Sequence, residues 1–99
     1  MIAGLLVEQP AKADLVDAVD WYKSVRPGLE QDFLHCVEEA LALIREYPVA
    51  NPILFRRLRR RLLHRFPYGV FYLHEPSLIR VLGILHTSRN PRLMAARSH

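Results

Sequence analysis

Cysteine is nearly missing from this chain: Cys36 stands alone, which excludes an internal disulfide and any cysteine-based zinc site. A lone thiol fits a reducing cytoplasm, the compartment expected here. Glycine is sparse, four scattered residues in 99, so no Gly-rich loop is present to cradle a phosphate. No stretch approaches the ~20 apolar residues of a membrane helix, and no membrane partner is expected. Residues 1–7 lack a basic start, and their apolar run is too short for a signal peptide. Acid is almost absent from residues 51–99, where Glu75 is the sole carboxylate side chain against ten arginines. Lysine is absent from that half altogether.

What is present makes one domain. Ninety-nine residues with 51% apolar and 24% charged composition are ordinary globular values. A chain of this size buries roughly two-thirds of its unfolded surface and has no room for a large enclosed cofactor cavity. No cofactor is expected, and no His/Asp/Glu pair has ligand spacing convincing enough to predict a metal. Charge is strongly polarised along the chain. Residues 1–50 carry four basic and nine acidic side chains, a net of −5; residues 51–99 have a net of +9. Arginine alone supplies the positive half, and its planar fork suits phosphate or carboxylate. That half is expected to meet an anionic partner, nucleic acid or acidic protein.

Periodicity orders the elements. Residues 4–9 read as a short strand stopped by Pro10. Leu15, Ala18, Val19, Tyr22 and Val25 follow helical spacing from Ala11 to about Arg26, with Trp21 at the edge of the stripe. Asp14, Asp17 and Asp20 are expected near the positive end of that helix. Pro27-Gly28 breaks the chain. A second helix follows from about Leu29 to Tyr47, on the stripe Leu29, Phe33, Cys36, Val37, Ala40, Leu41, Ile44 and Tyr47. Pro48 ends it. After Pro52 the period falls to two. Leu58, Arg60, Leu62, His64 and Phe66 are expected on one strand face, and Arg57, Arg59, Arg61, Leu63 and Arg65 on a basic outer face. Pro67-Tyr68-Gly69 marks a bend or bulge before a strand over Val70–His74. Leu78–His86 reads as a strand buried on both faces. Residues 88–99 read as a basic tail. The order β-α-α-β-β-β predicts an α+β domain over residues 1–99, a helical hairpin packed on one face of a small antiparallel sheet.

Three segments carry a resemblance. The first is Ala13-Asp14-Leu15 through Ala18 and Trp21-Tyr22 to Arg26-Pro27-Gly28-Leu29 and Asp32-Phe33-Leu34. The second is Arg65-Phe66-Pro67-Tyr68 with Val70 and Tyr72, and the third is Val81-Leu82 to Leu85-His86 with Arg89-Asn90-Pro91. In this order and spacing the chain resembles the RelE/ParE superfamily of type II toxin–antitoxin toxins, in the plasmid-stabilisation branch, over roughly residues 7–97.

The resemblance implies a toxin neutralised by a cognate antitoxin from an adjacent gene, with operator DNA contacted only through that antitoxin. Its targets divide. RelE-like members cut messenger RNA on the ribosome without metal, whereas ParE-like members inhibit DNA gyrase. Metal-free RNA cleavage needs 2′-hydroxyl activation, stabilisation of charge at phosphorus and protonation of the leaving oxygen. In what the resemblance implies, the RelE-type basic position before the apolar-apolar-Tyr is Gly69 here, the arginine near the end of the last strand corresponds to Thr87, and the tyrosine about six residues further on to Leu93. Of two strand lysines, one maps to Arg60 and the other to Leu62. These departures favour the ParE-like reading, with toxicity exerted by binding. The alternatives are a ribosome-dependent endoribonuclease using His86, Arg89 and Arg60, or a degenerate homologue that only binds its antitoxin. Arg57, Arg59, Arg61 and Arg65, with Trp21 and Tyr22, are the candidate antitoxin- or target-binding residues. Trp21 and Tyr22 also have a plain packing reading. His64 and His74 read as structural, and Cys36 as inert core.

Overall fold

A computed structural model describes residues 4–97, so Met1–Ala3 of the first apolar run and Ser98-His99 of the tail lie outside the described residues. Strand β1 (Gly4–Val7) leads into helix α1 (Gln9–Val25) and helix α2 (Leu29–Glu46). Strands β2 (Ile53–Phe55), β3 (Leu58–Leu62), β4 (Tyr68–Glu75) and β5 (Leu78–His86) follow, and a 3₁₀ helix spans Pro91–Arg97. The sheet order is β1-β5-β4-β3-β2. Strands β3 to β5 form the expected antiparallel meander. Strand β2, where no strand was expected, adds a fifth strand antiparallel to β3, while β1 joins β5 in parallel, Gly4 opposite Leu78 and Val7 opposite Val81. The sheet is therefore mixed: the two helices and three strands that separate β1 from β5 make a connection long enough to bring the two side by side in parallel.

Pro10 opens α1 rather than stopping the strand before it, sitting in the first turn where its missing N–H has no intrahelical partner to lose. With the helix beginning at Gln9, no acidic residue lies in its first turn, so the expected dipole role of Asp14, Asp17 and Asp20 does not hold. Gly28 takes a φ of +99° between the helices, a conformation that costs glycine little. The hairpin buries Ala11, Ala18, Phe33, Val37, Ala40 and Ile44 against one face of the sheet. Phe33 sits within a ring cluster, with centroids 5.0 Å from Tyr22, 5.3 Å from Phe66 and 5.1 Å from Tyr68. Val25 and Tyr47, placed on the apolar stripes by spacing, are 56% and 55% exposed, Val25 as the last residue of α1 and Tyr47 one residue past the end of α2.

The opposite face is also apolar. Leu58, Phe71, Leu73, Leu82 and Leu85 form a second cluster there, covered by Met94 of the 3₁₀ helix. Between the pairs Phe71–Gly83 and Tyr72–Val81, Leu82 is the extra residue of a bulge. The bulge lets Val81 and Ile84 face the hairpin while Leu82 and Leu85 face the 3₁₀ helix. Burial of β5 on both faces is thus as expected. The residues 88–99 expected to form a basic tail instead include this covering element, whose Met94 is only 1% exposed.

Burial pushes the phenols of Tyr22, Tyr68 and Tyr72 up; at Tyr72 the hydrogen bond from Asn51 and the nearby Arg59 and Arg61 oppose that effect. A raised folded pKa means that the native state keeps its protons after the unfolded chain has released them. The resulting stability is fully present below the ordinary phenol value and is lost as pH rises through the folded ones. Thermal midpoints followed by circular dichroism are expected to fall above about pH 10. The fall should be shallower in Tyr72→Phe, and an equal fall in both proteins would reject the assignment.

Candidate functional site

The β3 strand ends at Leu62, so the alternation expected up to Phe66 breaks after five residues. Arg59 lies opposite Tyr72 and Arg61 opposite Val70, while Arg60 lies opposite Phe71. Directly paired residues share a face. Arg59 and Arg61 therefore project to the hairpin side, and Leu58, Arg60 and Leu62 to the other. The expected basic outer face does not form. Arg59 Nη1 donates to the carbonyls of Asn51 (2.6 Å) and Val49 (3.3 Å), and Arg61 Nη1 donates to Asn51 Oδ1 (3.3 Å). Asn51 Nδ2 donates to the Tyr72 hydroxyl at 3.1 Å, and that hydroxyl donates to Pro48 O at 2.6 Å. Two of the four arginines thus hold the loop that joins α2 to β2.

The other two lie elsewhere and point outward. Arg57, in the β2–β3 turn, stands 3.8 Å from Glu75 with its side chain 70% exposed. Arg65, with φ +76°, stands 3.6 Å from Asp32. His64 and Leu63 diverge at the end of the strand, Leu63 being buried and His64 exposed. Trp21 is 60% exposed, so the packing reading fails for it and a partner contact is left open. Tyr22 is half-buried in the ring cluster, its centroid 5.0 Å from Phe66.

The three candidate nuclease residues do not converge. His86 and Arg89 share a cavity of about 140 Å³ at the end of β5, beside α1. The Ser88 N–H donates to His86 Nδ1 at 3.0 Å, so the ring proton of the neutral imidazole resides on Nε2. Asp14 and Asp17 line the same cavity. Arg60 lies on the opposite face of the sheet, its guanidinium 6.0 Å from the Phe71 ring centre. A Cβ placed at Gly69 would lie 2.9 Å from Arg60 Cγ and Cδ, so the Arg60 stem occupies the space where a RelE-type basic side chain would begin. Among the described residues, no group of three or more His, Cys, Asp or Glu side chains is arranged to hold a metal ion. Among the same residues, no helix is long and apolar enough to cross a membrane.

Sequence reasoning passed over two ionic sites. Arg97 Nη1 contacts Asp14 Oδ2 at 2.6 Å and Leu82 O at 3.1 Å, while Ile84 N–H donates to Asp14 Oδ2 at 3.0 Å. On the far half of the sheet, Arg80 bridges Glu8 (2.7 Å) and Glu75 (3.4 Å). Partners separated by 83 and 72 positions leave no local signal.

A helical hairpin packed on a five-stranded mixed sheet matches the ParE-like fold of the RelE/ParE superfamily toxins. The family model for the ParE toxin of the type II toxin–antitoxin system, parDE, matches residues 5–91, and the chain belongs to that family. A solved structure described as the chromosomal ParDE toxin–antitoxin system from P. aeruginosa shares the fold. Its TM-score is 0.77 at 19% identity, covering 86% of this chain and 96% of that one. No curated protein matches this chain in sequence.

Proposed function

We propose that this chain is the toxin of a type II toxin–antitoxin pair, that it acts by binding DNA gyrase rather than by cleaving RNA, and that a cognate antitoxin neutralises it. One observation carries the choice against cleavage: His86 and Arg89 sit on one side of the sheet with two aspartates, and Arg60 sits on the other. A phosphodiester placed against His86 would approach the Asp17 carboxylate, a repulsion that costs transition-state stabilisation rather than supplying it. Nε2–H offers a donor, and Nδ1 is already taken by a backbone amide, so the neutral ring has no free lone pair to act as base in this arrangement. For the antitoxin, acidic side chains are expected against Arg57 and Arg65, and apolar ones around the exposed Trp21. Arg59 and Arg61 are committed to the Asn51 loop and leave that role.

The test is expression with and without the gene's neighbour, followed by two assays on purified protein. The chain alone should arrest bacterial growth, the neighbour should restore it, and supercoiling by gyrase should be inhibited. No ribosome-dependent cleavage of messenger should appear, and His86→Ala with Arg89→Ala should leave growth arrest intact. Loss of a general acid or base typically costs 10²–10⁴-fold in rate. Cleavage of ribosome-bound messenger that vanishes in the double variant would therefore establish the nuclease reading instead. Unimpaired growth at high levels of folded protein would leave only the antitoxin-binding homologue.

A further inference from the structure

Behind the sheet, on the face away from the helical hairpin, the β2–β3 turn and the 3₁₀ helix enclose a pit of about 180 Å³. Its floor is apolar: Leu58, Leu73 and Met94 are 3%, 4% and 1% exposed. Its rim is cationic: Arg56 and Arg57 line the pit, and Arg92 stacks on the lining ring of Phe55. Arg56 and Arg92 lie with their guanidinium carbons 5.1 and 5.0 Å from the centre of the Phe55 ring. Among the described residues neither has a carboxylate partner, and Arg57 on the same rim meets only Glu75, at 3.8 Å. Arg56 holds its place at φ +56°, a conformation usually left to glycine, in a two-residue turn.

Size and chemistry narrow the occupant. A small-molecule site usually needs about 300 Å³ or more, whereas this pit admits one large side chain. A nucleobase would need hydrogen-bonding groups along its edge. Beyond the rim arginines, the lining side chains are hydrocarbon and thioether. An apolar side chain with carboxylates on either side satisfies both the floor and the rim. We propose that the pit docks an acidic segment of a partner protein, seating one leucine-sized side chain on Leu58, Leu73 and Met94 and setting neighbouring carboxylates against Arg56, Arg57 and Arg92. The proposal shares Arg57 with the antitoxin contact proposed above, but it needs no assumption about toxicity or gyrase, and the methyl shifts read the pit itself whatever the toxin's target.

The test is a titration of the full chain, labelled with ¹³C at Met and Leu methyl groups, with the peptide acetyl-Asp-Glu-Leu-Asp-Glu-amide. Saturable shifts of the Met94, Leu58 and Leu73 methyls are expected, with a Kd of about 1 mM or tighter. Serine in place of the peptide's leucine should abolish saturation, and the Asn/Gln version of its acids should weaken binding. Arg56→Gly keeps the left-handed turn while removing a rim charge, and Arg92→Ser removes another. Each should weaken binding about threefold, with the Leu5 and Leu15 methyls on the hairpin side unmoved. Absence of saturation at about 5 mM peptide would overturn the proposal. Equal binding of the serine peptide would do the same, since only charge would then be at work. Tighter binding of single-stranded oligothymidylate at the same methyls would reassign the pit to nucleic acid.

Discussion

Arg97→Ala is expected to lower the unfolding free energy by about 2–4 kcal/mol, because it strands a carboxylate that is only 12% exposed. The need for that carboxylate arises in the sheet. Strand β1 pairs β5 only from Leu78 to Val81, so the Ile84 N–H faces an edge with no strand beside it. Asp14 of α1 supplies the missing acceptor, and Arg97 balances the charge while binding Leu82 O. Three distant elements meet at one side chain. Gly83 makes the approach possible: a Cβ there would lie 2.7 Å from Met94 Sδ and 2.9 Å from Arg97 Nη1. Urea unfolding of Arg97→Ala, Asp14→Ala and the double variant measures the coupling directly. The double variant should cost well below the sum of the two singles. Additive costs below about 1 kcal/mol each would show a solvated ion pair with no clamping role.

Phe33→Ala should produce the other large loss, about 3–5 kcal/mol. Phe33 is fully buried and contacts three other rings, so its removal takes away both apolar burial and edge-to-face contacts. The cavity would open where α2 rests on the turn before β4, and the hairpin should loosen there first. Trp21→Ala, on the exposed side of α1, should change stability by no more than about 0.5 kcal/mol. The ratio of these two costs in chemical unfolding checks the packing. A Trp21 cost approaching that of Phe33 would place Trp21 in the core and remove it from the candidate contact surface.

The two helices were legible because their stripes obey a short-range rule. Leu15, Ala18 and Tyr22, or Phe33, Val37, Ala40 and Ile44, recur at three and four residues, and helical geometry brings them to one side whatever lies opposite. Pro27-Gly28 and Pro48 act through steric limits on their immediate neighbours, and those boundaries lie close to where they were expected. For β3, the same logic correctly grouped Leu58 with Arg60 and Leu62, and Arg59 with Arg61. It failed on which group faces outward. Alternation reports that two faces differ; it does not report what covers each one.

Covalent neighbours therefore determined the helical hairpin, four of the five strands in their order, the double burial of β5 and the concentration of arginine in one half; the three-residue β2 is too short to show a period of its own. Tertiary structure alone decided the rest. The second apolar layer depends on Met94, one residue in a segment whose composition otherwise reads as solvated. Arg59 and Arg61 became loop anchors because the chain after α2 turns back beneath them. Asp14 became an edge acceptor because β1 stops four residues into its pairing with β5. His86 and Arg60 parted because the sheet passes between them. In each case the deciding partner lies far away in sequence, and only packing brings it within the few ångströms over which hydrogen bonds, charges and apolar contacts act.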